Sequence, residues 1–124
     1  MQYKELTEKI IGCAYKVYNT LGYGFLESVY EKALLIELRR GGVKSENQKP
    51  ITVYYDNEIA GEFKADIIVE DLVIIEIKSV RRIIKEFEVQ LVNYLTATGK
   101  PVGLLLNFGE NKVNVKRKVR IFEK

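Results

Sequence analysis

The sequence predicts an α/β protein, a mixed β-sheet flanked by helices in the order ααβββαββ. Three observations carry that reading: two helical stretches precede anything strand-like, three strand patterns follow in close succession, and one more helix separates these from two final strands. In the first stretch Leu6, Ile10, Cys13, Ala14, Val17 and Leu21 recur at helical spacing, an apolar stripe bordered by Lys4, Glu8 and Lys16. Gly22-Tyr23-Gly24 breaks it. Leu26, Val29, Tyr30, Ala33, Leu34 and Leu38 resume the period until Gly41-Gly42 supplies a C-terminal stop. After Pro50 the texture changes to a strand at Ile51–Tyr55 and a turn at Asp56-Asn57. A run from Ile59 to Val69, a turn near Glu70-Asp71 and a strand from Leu72 to Lys78 complete a meander. Residues 85–98 return to helical spacing through Phe87, Leu91, Tyr94 and Leu95, and Gly99-Lys100-Pro101 ends them. Val102–Phe108 is a continuous apolar run suited to a strand buried on both faces, and Lys112–Phe122 alternates Val113, Val115, Val119 and Ile121 with basic or polar residues. No repeat, low-complexity tract or long linker divides the chain, so residues 1–124 are expected to form one domain.

The 124 residues include no histidine and one cysteine, Cys13. Ser-His-Asp and Cys-His catalysis, His-ligated zinc or iron and a histidine proton shuttle are therefore excluded, and neither an intrachain disulfide nor a thiolate zinc site is available. Acid–base or metal chemistry has to use carboxylates, lysine or tyrosine. With 47% hydrophobic and 30% charged residues, the chain can build an ordinary globular core. The charged stretch Met1–Ile10 holds no secretory segment, and no apolar run approaches the ~18 residues of a membrane span. A cytoplasmic location, with no membrane partner, is the expectation.

Net charge is +3. It is concentrated late in the chain, where Lys112, Lys116, Arg117, Lys118, Arg120 and Lys124 face Glu123 alone. Such a strip suits phosphate contact, with Lys112, Lys116, Lys118 and Arg120 as candidate nucleic-acid-binding residues, and it equally suits an edge strand protected by lysines.

The stretch Leu72–Lys78 is the most informative, because an apolar strand acquires two charges at its C-terminal end. Side chains alternate along a strand, so Glu76 and Lys78 share a face, roughly 7 Å apart. A pairing register in which residue numbers sum to 142 sets Asp66 of the preceding strand directly opposite Glu76. That register needs a three-residue connection, Glu70-Asp71-Leu72, or a bulge. Two carboxylates meeting in a half-buried pocket repel unless protonated, bridged by Lys78 or neutralised by a hard cation, and Mg²⁺ or Mn²⁺ suits an all-oxygen ligand set. Lys78 can orient the attacking water or neutralise charge on phosphorus, or it can be a plain ion-pair partner. Glu27 falls in the first turn of the second helix with Tyr30 one turn on; it either complements the helix dipole or joins a metal site. Gln90 and Tyr94, at i and i+4 on the third helix, place an amide where it needs a partner: the strand lysine, a water, a phosphate or a sheet carbonyl.

Asp66 followed after nine residues by Glu76-Ile77-Lys78 resembles the PD-(D/E)xK nuclease-like superfamily. Around it, Gly24-Phe25-Leu26-Glu27-Ser28-Val29-Tyr30, Lys64–Glu70, Val73–Lys78, Gln90–Leu95 and Gly103–Phe108 form five ordered blocks similar to the GxxExxY family of that superfamily. The resemblance implies a restriction-endonuclease-like core in which Asp66 and Glu76 bind Mg²⁺ or Mn²⁺, Lys78 assists the water and Glu27 completes the site. Gln90 matches the family's helix glutamine, and Tyr30 and Tyr94 stand as supporting residues. Ala65 replaces the superfamily's proline before the aspartate. The function implied is a Mg²⁺-dependent nuclease hydrolysing phosphodiester bonds in DNA or RNA by metal-activated water. The alternative is a non-catalytic nucleic-acid-binding or adaptor domain that retains the fold. A chain this short would draw its targeting from a partner protein, and a homodimer is the simplest way to cut both strands of a duplex.

Overall fold

The computed structural model describes residues 3–120. Its elements are α1 (Lys4–Leu21), α2 (Glu27–Arg40), β1 (Ser45–Tyr55), β2 (Glu58–Val69), β3 (Val73–Lys78), α3 (Lys85–Thr98), β4 (Val102–Phe108) and β5 (Val113–Val119), the expected order ααβββαββ. The glycine punctuation works as the sequence suggests. Gly22 ends α1 at φ 70 and donates its N–H to Tyr18 O at 2.8 Å, and Gly99 caps α3 at φ 74. Of the last expected strand, Ile121 and Phe122 lie outside the described residues, as do Met1 and the Glu123 and Lys124 of the basic strip.

The five strands form one mixed sheet in the order β1-β2-β3-β4-β5. Neighbours are antiparallel except β3 and β4, which run parallel because α3 carries the chain between them. The helices cover opposite faces. Ile10, Ala14 and Val17 of α1 and Tyr30, Leu34 and Leu38 of α2 pack with Ile75, Ile77, Leu104 and Leu106, while Leu91, Tyr94 and Leu95 of α3 pack with Ile74 and Leu105. This two-sided burial explains why β3 and β4 read as unbroken apolar runs. Gly103 lets α3 sit close, since a Cβ there would lie 2.7 Å from Leu91 Cδ1.

The largest boundary difference is at β1. β1 starts at Ser45 rather than after Pro50, and Pro50 lies within it opposite Lys64. A proline is tolerated there because β1 is an edge strand, where a missing N–H breaks no ladder bond. The β2–β3 register is the one that matters for function. Ile67 faces Ile75, Ile68 faces Ile74 and Val69 faces Val73, pairs that sum to 142 and leave Glu70-Asp71-Leu72 as the connection. Glu70 and Asp71 both adopt positive φ, 53 and 58, and Leu72 donates its N–H to Val69 O at 2.9 Å. Lys100 locks this turn from the far side, its Nζ donating to Asp71 O at 3.1 Å and Oδ1 at 2.9 Å.

Candidate functional site

Just past the last ladder pair, Ile67 with Ile75, the side chains of Asp66 and Glu76 interlock with the opposing backbone. Glu76 Oε2 accepts the Asp66 N–H at 3.1 Å, and Asp66 Oδ2 accepts the Ile77 N–H at 2.8 Å. Each carboxylate is thus held by a backbone N–H of the opposing strand where the ladder ends, not by a flexible partner. Glu76 is only 6% exposed. Burial, and then the Asp66 charge beside it, push its carboxyl up from 4.5 to about 8. Burial also raises Asp66, opposed by the Ile77 N–H, the Lys78 charge and a hydrogen bond from Gln48.

Lys78 is half-buried on the same strand with its Nζ 4.4 Å from the centroid of the Phe87 ring. Its charge eases both carboxylates downward. Among the described residues it forms no ion pair with either one, so the simple salt-bridge role weighed above is not what the structure holds. Glu27 is the first residue of α2, exposed and without a hydrogen bond or ion pair among the described residues, yet near enough for its charge to act on Glu76. Tyr30 fixes where Glu27 stands. Fully buried and stacked on Phe108 at 4.3 Å, it donates its hydroxyl to Gly22 O and accepts the Phe25 N–H at 3.4 Å, pinning the glycine bend. Ser79 Oγ then ties the residue after Lys78 to Phe25 O at 3.0 Å.

Gln90 and Tyr94 line a groove between α3 and the β1–β2 hairpin. Tyr94 lies near the carboxylates, its phenol raised by burial and then by the charges of Glu76 and Asp66. Gln90 makes no hydrogen bond among the described residues. The basic strip divides. Lys116 is exposed on β5, Lys118 is ion-paired to Glu88 at 2.8 Å, Lys112 lies in the β4–β5 turn and Arg120 follows the strand's end. Arg117 turns to the other face, opposite Leu104, with its Nη2 buried and unpaired.

A sequence profile of the PD-(D/E)XK nuclease superfamily matches residues 4–118. The chain belongs to that superfamily. A search of the curated proteins returned no match. Among solved structures, the crystal structure of SSO0001 superposes with a TM-score of 0.61 at 17% sequence identity, a likeness of fold. It covers 98% of this chain, which spans only 61% of the length of that one.

PD-(D/E)XK nucleases generally use divalent metal ions, and the donor set here fits one. Among the described residues no group of three His, Cys, Asp or Glu side chains is gathered for a metal; the two carboxylates that the strands bring together are Asp66 and Glu76. A Mg²⁺-type ion needs no more, since one or two carboxylates, waters and a substrate phosphate complete its shell. The crowding that raises Glu76 is the condition a cation relieves.

Three residues of this PD-(D/E)XK site escaped the sequence reading of its chemistry. Gln48, at φ 52, stands opposite Asp66 where the β1–β2 ladder is interrupted, and its Nε2 donates to Glu31 Oε1 at 2.9 Å. Phe87 is the platform under Lys78. Asn107, fully buried, latches the chain after Lys78 by accepting the Val80 N–H at 2.9 Å and donating to Val80 O at 2.8 Å.

Proposed function

We propose that this chain is a Mg²⁺- or Mn²⁺-dependent nuclease of the GxxExxY kind, hydrolysing phosphodiester bonds in DNA or RNA. The observation that carries the reading is the backbone-locked pair of half-buried Asp66 and buried Glu76, with Lys78 on the strand of Glu76 lowering the charge cost of both. The five sequence blocks of the resemblance fall at α2, β2, β3, α3 and β4, around that pair.

Asp66 and Glu76 would hold the cation. When bound, such an ion polarises a phosphoryl oxygen and makes a neighbouring water more acidic. Lys78, held over Phe87, neutralises charge that develops on phosphorus as the water attacks in line. Glu27, at the start of α2, and Gln90, on α3, would orient the water or the phosphate. Lys112, Lys116, Lys118 and Arg120 would carry the nucleic-acid backbone, and a two-fold pair of chains would cut both strands of a duplex.

The test is incubation of purified protein with single- and double-stranded DNA and RNA and Mg²⁺ or Mn²⁺. Cleavage by wild type that is lost in Glu76→Ala supports the reading, and the same trace cleavage in both sinks it. One observation favours a second reading, a non-catalytic nucleic-acid-binding or adaptor domain: Glu27 is not gathered with the other two carboxylates. Nucleic-acid binding that persists in a protein with no affinity for Mg²⁺ or Mn²⁺ would select it.

A further inference from the structure

The groove between α3 and the β1–β2 hairpin has a volume of about 790 Å³, within the range of roughly 300–1,000 Å³ usual for ligand sites. Its floor is Val53 and Phe63 of the β1–β2 hairpin with Tyr94 of α3, and Val89, Gln90 and Asn93 of α3 form its wall. Phe63 is 45% exposed, its ring 5.7 Å from that of Tyr94 and tilted by 44°. Gly61 makes this possible, because a Cβ there would lie 3.1 Å from Phe63 Cε2. Val89 is 48% exposed. The Gln90 and Asn93 amides make no hydrogen bond among the described residues.

We propose that this groove binds unpaired nucleobases, so that the chain acts on single-stranded nucleic acid whose bases lie against Phe63, with buried Tyr94 beneath it, while the backbone passes Asp66 and Glu76. The chemistry of the lining selects this occupant. A duplex hides its base faces and offers phosphates, which call for cations, and the groove contributes only Lys85, next to Glu86. An unpaired base offers a π-face and an edge of donors and acceptors, which an aromatic floor and an amide wall satisfy together. Phe63 stands three residues before Asp66 on β2, and Tyr94, which lines the groove, feels the charge of both carboxylates, so the groove and the pair are neighbours. The direction of the backbone rests on the nuclease reading, whereas the base site does not.

Anisotropy in EDTA tests the base site without cleavage, using three labelled oligonucleotides of equal length: a single strand, the same strand with abasic positions, and a blunt duplex. Wild type should bind the base-bearing single strand tightest. Phe63→Ala should weaken that complex by roughly 5- to 150-fold, the worth of one stacked base, and leave the abasic and duplex complexes unchanged. Val89→Ser, on the exposed side of α3, should act in the same direction with the fold intact, which guards against misfolding of the hairpin variant. Equal affinity for the abasic strand, duplex binding as tight as single-strand binding, or unaltered affinity in both variants would overturn the proposal. Cleavage with Mn²⁺ separates the two readings. Base-dependent binding without Glu76-dependent cleavage removes the nuclease and keeps the groove, and Glu76-dependent cleavage without base-dependent binding does the reverse.

Discussion

Glu76 occupies a position where its own charge is costly, and that cost has a pH signature. An unfolded glutamate releases its proton near 4.5, whereas the folded carboxyl, buried beside Asp66, keeps it to about 8. The native state therefore binds more protons across that window, and the stability of the metal-free protein should fall as pH rises through it, by up to a few kcal/mol. Thermal melts from pH 4 to 9 should show this decline in wild type but not in Glu76→Gln, and Mg²⁺ should flatten it. Gln48 offers a complementary test. It holds a left-handed φ of 52 that glycine adopts without strain, and its amide donates to Glu31 and eases the Asp66 carboxyl downward. Relief of that strain, about 1–2 kcal/mol, is offset by the extra freedom glycine gives the unfolded chain, about 0.5–1 kcal/mol, so Gln48→Gly should leave stability within about 1 kcal/mol of wild type while weakening Mn²⁺ binding, read by melting and calorimetry on one sample.

At the level of elements, the site depends on two devices: the β2–β3 register and the latch behind β3. Asn107→Ala would strand the Val80 N–H and C=O in a partly buried setting, a loss of about 1–2 kcal/mol that also frees the chain next to Lys78. Denaturant melts should show that loss, and cleavage should fall further than stability accounts for. The register was legible because Glu70-Asp71 is turn chemistry and only one spacing puts two charges on one buried face. The α3 and β4 limits, 85–98 and 102–108, were legible because Gly99 and Pro101 punctuate a change from period 3.6 to a continuous apolar run. The start of β1 was not, because Pro50 reads as a boundary until the strand is known to lie at the sheet edge. Nor were the contacts of Gln48, Phe87 and Asn107 with the site, since each depends on a long-range approach that local periodicity does not encode.

For the whole molecule, charge is spread thinly. Net charge is +3, Lys118 is engaged by Glu88, and only part of the basic strip stays open to a phosphate backbone. Binding to nucleic acid should thus show a shallow salt slope, and Lys116→Glu should weaken it for all sequences while reducing that slope by about 1. The central claim, that Asp66 and Glu76 form a cation site, is tested most directly by calorimetric titration of the metal-free protein with Mn²⁺ at pH 7 in buffers of different ionisation enthalpy. Because Glu76 titrates at about 8, wild type should bind the ion with release of about one proton, and Glu76→Gln should bind weakly with none. Undetectable binding by wild type, or equal binding by Glu76→Gln, would contradict it.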